Sequence, residues 1–108
     1  MAESPVVVVA TLRAKPGQEE VLEKGLRTAI AAVHGEPGCL KYALHRKVGT
    51  TGHFVMVEKW ESAEALRVHG KSPAMREAGP VFAEALEGAP EVLVFEPLPA
   101  GDAERGAI

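Results

Sequence analysis

The residues best suited to chemistry fall in one short stretch, EKWESAEALRVHGKSP, at residues 58–73. Glu58 and Trp60 lie two positions apart at the end of an apolar run, and His69 follows nine positions after Trp60. A carboxylate or an imidazole can accept a proton from a substrate, and an indole can stack on a flat ring. The first question is therefore whether these three side chains meet at one place.

Glu58 is a candidate general base because of its place in an alternating pattern. Phe54, Met56, Glu58 and Trp60 share one side of a predicted strand. If that side faces the core, burial raises the pKa of the Glu58 carboxyl group toward neutrality. The alternative is that Glu58 lies at the edge of the layer and forms a salt bridge with Arg46, its expected cross-strand neighbour.

His69 is a candidate proton acceptor on a predicted helix. It follows Leu66 by three residues and Ala65 by four, so the three side chains share a helix face that we expect to point at the sheet. An inward imidazole beside an indole could accept a proton from an aromatic hydroxyl. The alternative is a partly exposed histidine that the negative end of the helix dipole stabilises.

Two aromatic residues are candidates for the wall of a pocket. Trp60 offers a large flat face for stacking on an aromatic ligand. Tyr42 has the same parity as Leu40 and Leu44 in the preceding strand, so we expect it to face the same cavity. Either residue could instead belong to the core, with the Tyr42 hydroxyl at the rim.

The remaining reactive side chains show no pattern of a known site. Cys39 has no activating base that the sequence identifies, and we interpret it as a structural thiol. The histidines do not have metal-ligand spacing, and the chain has neither a CxxC pair nor a glycine-rich phosphate loop. We therefore expect no metal, flavin or nucleotide cofactor.

Apolar periodicity predicts four strands that position these residues. The predicted strands are Val6–Ala14, Cys39–Val48, His53–Trp60 and a last strand within PEVLVFEPL. The middle two are separated by the turn GTTG and should form a hairpin.

Helical spacing predicts the segments between the strands. A first helix lies in QEEVLEKGLRTAIAAVHG, with an apolar stripe and a stop at Gly35. A second helix covers about Ala63–His69 after the N-cap Ser62. A third helical region follows, and we expect Gly79–Pro80 to kink or restart it.

The order β-α-β-β-α-β predicts an α+β, ferredoxin-like fold with an antiparallel sheet and its helices on one face. The other sheet face is also largely apolar, since either parity of VVVVA and VLVF exposes valines. We expect two such faces to close on each other in a homodimer. Residues 1–98 form the single predicted domain, and residues 99–108 are predicted to be a disordered tail.

Bulk composition excludes several classes of function. The 108 residues carry a formal net charge of −3 with scattered lysines and arginines, which does not suit nucleic acid or an anionic membrane. The longest apolar runs are too short to span a bilayer, and MAESP does not read as a signal peptide. With one cysteine and no signal, we expect a cytoplasmic protein.

Four segments together resemble the antibiotic biosynthesis monooxygenase domain family. They are AKPGQEEVLEKGL, EPGCLKYALHR, FVMVEKWESAEALRVHGKSP and VLVFEPL, in order from about Val6 to Leu98. The resemblance implies a dimeric α+β barrel. As in many members, it also implies a monooxygenase that uses O₂ without a cofactor on quinols, anthrones or related polyketide aromatics.

Within the chemistry that the resemblance implies, parity and spacing suggest roles for the candidate residues. His69 or Glu58 would accept a phenolic proton, and the resulting anion would pass an electron to O₂. Tyr42 or Arg46 would donate a hydrogen bond to developing oxyanion charge. The expected substrate-binding residues are Trp60, Tyr42, Arg46, Phe54, Met56 and Leu66.

Three alternatives stay open at this point. One is a non-catalytic ligand-binding or regulatory barrel of the same fold. A second is a haem-degrading relative, although the first strand has no asparagine and MREAGPVFAEAL has no histidine. A third is a relative that isomerises or degrades a phosphorylated signalling sugar, for which no phosphate-binding cluster is evident.

Overall fold

The computed structural model describes residues 4–108, which form four strands and three helices. In chain order they are β1 (Val6–Arg13), α1 (Glu19–Val33), β2 (Cys39–Arg46), β3 (His53–Trp60), α2 (Ala63–His69), α3 (Pro73–Ala85) and β4 (Glu91–Phe95). The strands form one sheet in the order β2-β3-β1-β4, and every neighbouring pair is antiparallel. This architecture confirms the predicted α+β, ferredoxin-like fold.

The inner face of the sheet is apolar because the strand alternation puts large side chains on it. Along β3, Phe54, Met56, Glu58 and Trp60 are buried, and the residues between them are half-exposed. On α1 the predicted stripe packs against this face through Leu22, Leu26 and Val33. Burial of these two faces against each other is the main source of stability in a domain of this size.

The two short helices begin at serine caps. The Ser62 hydroxyl accepts a hydrogen bond from the Ala65 N–H at 3.1 Å, and α2 then runs over the predicted residues. The Ser72 hydroxyl caps α3 in the same way, with Pro73 as its first residue. Of the kink or restart predicted at Gly79–Pro80, the restart does not occur, since α3 continues through Pro80; a proline removes one hydrogen bond from the helix.

The outer sheet face has an apolar centre. Val9 pairs with Val57 on one side and with Leu93 on the other, and Ala43 completes this row. The neighbouring rows include charged residues, such as Lys59 beside Val7 and Glu91 beside Thr11. β4 is exposed on both of its faces. The structure therefore leaves a large apolar surface uncovered in the single chain.

The tail that we predict to be disordered, residues 99–108, contains turns. The Asp102 carboxylate accepts hydrogen bonds from the N–H groups of Glu104 and Arg105, and Lys59 Nζ donates to the Ile108 carbonyl at 2.6 Å. These contacts lie on the surface, and disorder in this segment stays a prediction. Between residues 4 and 108, no helix is both long and apolar enough to cross a membrane.

Candidate active site

A cavity of about 250 Å³ lies between the inner sheet face and the helices. All four strands and all three helices contribute to its lining, and most of the wall is aliphatic. Three lining residues carry polar side-chain groups: Tyr42, Glu58 and His69. A mostly apolar cavity with a few convergent polar groups is the usual form of a small-molecule site.

Three aromatic rings pack together at one end of this cavity. The His69 and Trp60 rings lie 4.6 Å apart between centroids and are tilted by 32°. Tyr42 meets both edge-on, at 5.3 Å from His69 and 6.1 Å from Trp60. The packing restricts the rotation of each ring, so it fixes where the imidazole and the phenol point.

Glu58 is a buried carboxylate held by the neighbouring indole. It is 5% exposed, and Trp60 Nε1 donates a hydrogen bond to Glu58 Oε1 at 2.9 Å. Burial raises the pKa of the Glu58 carboxyl above its ordinary value, while the Trp60 hydrogen bond and the nearby His69 act in the opposite direction. Of the two interpretations of the sequence, the structure therefore shows the inward carboxylate and not the one at the edge of the layer.

His69 lies at the C-terminal end of α2 and is 7% exposed. Its Nδ1 is 2.8 Å from Oε1 of Glu36, which lies in the turn between α1 and β2. The partly exposed helix-terminal histidine that we gave as the alternative is not observed. The imidazole instead points inward and lines the cavity.

Tyr42 keeps its hydroxyl hydrogen in this environment. Its pKa is raised, first by burial and then by the negative charges of Glu58 and Glu36. A phenol that stays neutral at physiological pH can donate a hydrogen bond to a ligand oxygen. The same causes raise the pKa of the Cys39 thiol, which fits a structural cysteine rather than a nucleophile.

Five of the eight predicted site residues line this cavity: Tyr42, Met56, Glu58, Leu66 and His69. Trp60 does not. Its side chain is 0% exposed, and it packs behind His69 and Glu58 rather than presenting a face to the cavity. A stacking role for Trp60 would require His69 to move aside.

Arg46 and Phe54 lie in a different groove, between α1 and the edge strand β2. Arg46 forms a salt bridge with Glu23, and its guanidinium carbon lies 5.2 Å from the centroid of the Phe54 ring. The expected Arg46–Glu58 pair is wrong, because the register puts Arg46 opposite Phe54 and Tyr42 opposite Glu58. Tyr42 borders both spaces.

The sequence does not predict the contact between Glu36 and His69. It lies in the EPG turn, outside every helical or strand pattern, and its partner His69 is 33 residues away. In the part of the chain that the structure describes, no group of three potential ligands could hold a metal ion.

Comparisons of the sequence and of the structure with known proteins point to one family. The family model described as antibiotic biosynthesis monooxygenase matches residues 5–80. The uncharacterised protein sll1783 of Synechocystis is 28% identical over 92 residues, which are 85% of this chain but only 58% of that protein. This chain therefore spans less than two thirds of that relative's length.

Solved structures agree with this result. PA3566 from Pseudomonas aeruginosa has a TM-score of 0.83 at 28% identity, over 91% of this chain and 98% of that one. A protein of Caulobacter crescentus CB15, provisionally assigned as an antibiotic biosynthesis monooxygenase, has a TM-score of 0.81 at 31% identity. That match covers 89% of this chain and 92% of the Caulobacter chain.

Proposed function

Because the chain belongs to the antibiotic biosynthesis monooxygenase family, we propose that it is a monooxygenase that oxidises a small hydroquinone with O₂ and needs no cofactor. The observation that supports this most directly is the convergence of Tyr42, Glu58 and His69 on one apolar cavity. That set supplies a neutral hydrogen-bond donor and two proton acceptors beside a space that fits a flat ring.

The proposed reaction balances without an added reductant. A hydroquinone and O₂ give a hydroxyquinone and water. One oxygen atom becomes bonded to a ring carbon, the other leaves as water, and the substrate supplies all the electrons. A base first removes a phenolic proton, and the anion passes one electron to O₂. The two radicals then join at a ring carbon, and the protonated base returns its proton to the outer oxygen, which gives a hydroperoxide. Loss of the C–H proton and cleavage of the O–O bond release water.

The residues of the cavity have separate tasks in this scheme. His69 or Glu58 accepts the phenolic proton, and Tyr42 donates a hydrogen bond to the oxygen that becomes negative. The aliphatic wall keeps water away from the radical pair and strengthens these interactions. Trp60 acts on the site through its contacts with Glu58 and His69 rather than by touching the substrate.

The cavity volume favours a small substrate. An engineered apolar cavity of about 150 Å³ binds benzene, so about 250 Å³ suits one substituted ring or two fused rings. Three-ring anthrones need more room. We therefore expect O₂ consumption with benzohydroquinones and naphthohydroquinones in an oxygen-electrode screen of purified, metal-free protein, and little with anthrones. Tight binding of hydroquinones without O₂ consumption would instead support a non-catalytic binding protein.

Filling the cavity should abolish turnover without unfolding the protein. Ala10 is a buried β1 residue that lines the cavity, and Ala10→Leu adds three carbon atoms to that space. We expect kcat/KM for the best hydroquinone to fall at least about 100-fold, because the ring no longer fits. Ala83→Leu, at an exposed position of α3, is the matched control. An active Ala10→Leu enzyme would mean that the substrate binds elsewhere.

We also propose that the chain forms a homodimer through the outer sheet face. The apolar centre of that face, around Val57, is uncovered in the single chain. Val57→Lys puts a charge there and should convert the dimer to a monomer in light scattering. Val48→Lys is the control, because Val48 is already 96% exposed in the β2–β3 turn. A monomeric parent protein would contradict the proposal.

A further inference from the structure

The turn between α1 and β2 brings a second carboxylate to the candidate site. Glu36 Oε1 lies 2.8 Å from His69 Nδ1, and the two side chains are only 14% and 8% exposed. Glu36 is not among the residues that line the cavity. Glu36 therefore does not contact a ligand in the cavity directly, and its hydrogen bond to the site is the one to His69.

The backbone of this turn holds Glu36 in place. The Glu36 N–H donates to the Val33 carbonyl at 2.9 Å, and the Cys39 N–H donates to the Glu36 carbonyl at 3.2 Å. Gly38 has a φ of +80°, and a Cβ at this position would come within 2.6 Å of Ala65 Cβ. The turn thus packs directly on α2, the helix that ends at His69, and only glycine fits at this contact.

The Glu36 side chain has a feature that stability alone does not explain. Its Oε2 is buried and has no hydrogen-bond partner within residues 4–108. A buried polar atom without a partner lowers stability, so such atoms are rare and call for a reason. The bond to His69 is the one side-chain hydrogen bond that Glu36 makes in this part of the chain.

A carboxylate partner determines which nitrogen of an imidazole carries hydrogen. An ionised carboxylate can only accept, so its hydrogen bond selects the form of neutral His69 with hydrogen on Nδ1 and a lone pair on Nε2. The other groups beside the imidazole make different contacts: the Trp60 ring lies over it at a tilt, Tyr42 meets it edge-on, and Glu58 Oε1 accepts from the indole N–H.

We propose that Glu36 is a positioning residue that holds His69 in the Nδ1–H tautomer, with Nε2 ready to take the phenolic proton in the cavity. The link to turnover rests on the proposed monooxygenase function; the tautomer itself does not. The role resembles that of any carboxylate that orients a proton-accepting histidine from the side away from the substrate.

Nitrogen-15 NMR of ligand-free protein, labelled at histidine, tests the tautomer directly. We expect His69 in the parent protein to show a protonated Nδ1 and an unprotonated Nε2 at neutral pH. In Glu36→Gln the amide can donate or accept, so both tautomers should be populated. Glu20→Gln, at an exposed position in the first turn of α1, should leave the His69 signals unchanged.

Kinetics of the same variants complete the test. We expect kcat of Glu36→Gln for the best hydroquinone to fall about 10–100-fold with little change in KM, since Glu36 does not contact the substrate. Hydrogen on Nε2 in the parent protein, or an unchanged tautomer in Glu36→Gln, would overturn the proposal. The parent spectrum decides even if the variant does not fold. If no hydroquinone is oxidised, the monooxygenase function fails while the spectra still decide the role of Glu36.

Discussion

Replacing His69 by glutamine is expected to lower kcat/KM for the best hydroquinone by about 10²–10⁴-fold, the usual contribution of a positioned general base. Glutamine fills similar space and keeps a polar group toward Glu36, but it cannot accept a proton near neutral pH. The buried imidazole lines the cavity beside Tyr42 and Glu58. Its loss therefore removes a proton acceptor while leaving most of the wall unchanged.

Oxygen-electrode rates of His69→Gln, Glu58→Gln and their double variant distinguish the two candidate bases. The raised pKa of Glu58 means that its carboxylate form appears at higher pH than for an ordinary glutamate. If Glu58 is the base, the acid limb of the kcat/KM profile lies above the ordinary range and disappears in Glu58→Gln. His53→Gln, outside the cavity, should retain the parent rate. Unchanged rates in both His69→Gln and Glu58→Gln would contradict the proposed base.

Trp60→Phe is expected to lower the free energy of unfolding by about 2–4 kcal/mol at neutral pH. Phenylalanine lacks the indole N–H, so the Glu58 carboxylate loses its hydrogen bond inside an apolar layer. The smaller ring also leaves a cavity beside His69, because the surrounding side chains relax only partly into it, and this cavity lowers stability further. Urea unfolding measured by circular dichroism gives the change in stability.

The pH dependence of this loss has a defined sign. Because the folded-state pKa of Glu58 is raised, the stability linked to its protonated form is complete below the ordinary value of 4.5 and is lost as pH rises through the folded pKa. Removing the Trp60 hydrogen bond raises that pKa further. The loss in Trp60→Phe should therefore be larger near about pH 8 than near about pH 5.

The Glu58→Gln background is the control for this prediction. Glutamine keeps a neutral acceptor for the indole but carries no charge at any pH. In this background Trp60→Phe should lower the free energy of unfolding by less, and the decrease should not depend on pH. The coupling energy between the two substitutions therefore measures the hydrogen bond from Trp60 to the Glu58 carboxylate. An equal loss in both backgrounds at both pH values would show that Trp60 contributes by packing alone.

The elements were predictable from local patterns in the chain. Alternation of apolar residues identified β3 as His53–Trp60, and the Ser62 cap with the following spacing identified α2 as Ala63–His69. Both predictions rest on side-chain period and helix capping, which depend on near neighbours in sequence. The same periods allowed Glu58 and His69 to face the core, and the structure excluded the exposed alternatives.

The predicted pairing of Arg46 with Glu58 failed because register depends on more than alternation. The Lys47 N–H donates to the His53 carbonyl, and this closes the hairpin so that Arg46 lies opposite Phe54. A strand pattern is unchanged by a shift of two residues, so parity alone cannot identify the cross-strand partner.

Periods of 2 and 3.6 residues along the backbone showed which side chains share a face, and they left exposed alternatives open for Glu58 and His69. The tertiary structure was needed to show what those side chains meet. It placed Trp60 behind His69 instead of at the cavity surface, and it brought Glu36 from a patternless turn to His69 Nδ1. Contacts between distant elements depend on how those elements pack, and packing is a property of the whole fold rather than of any one segment.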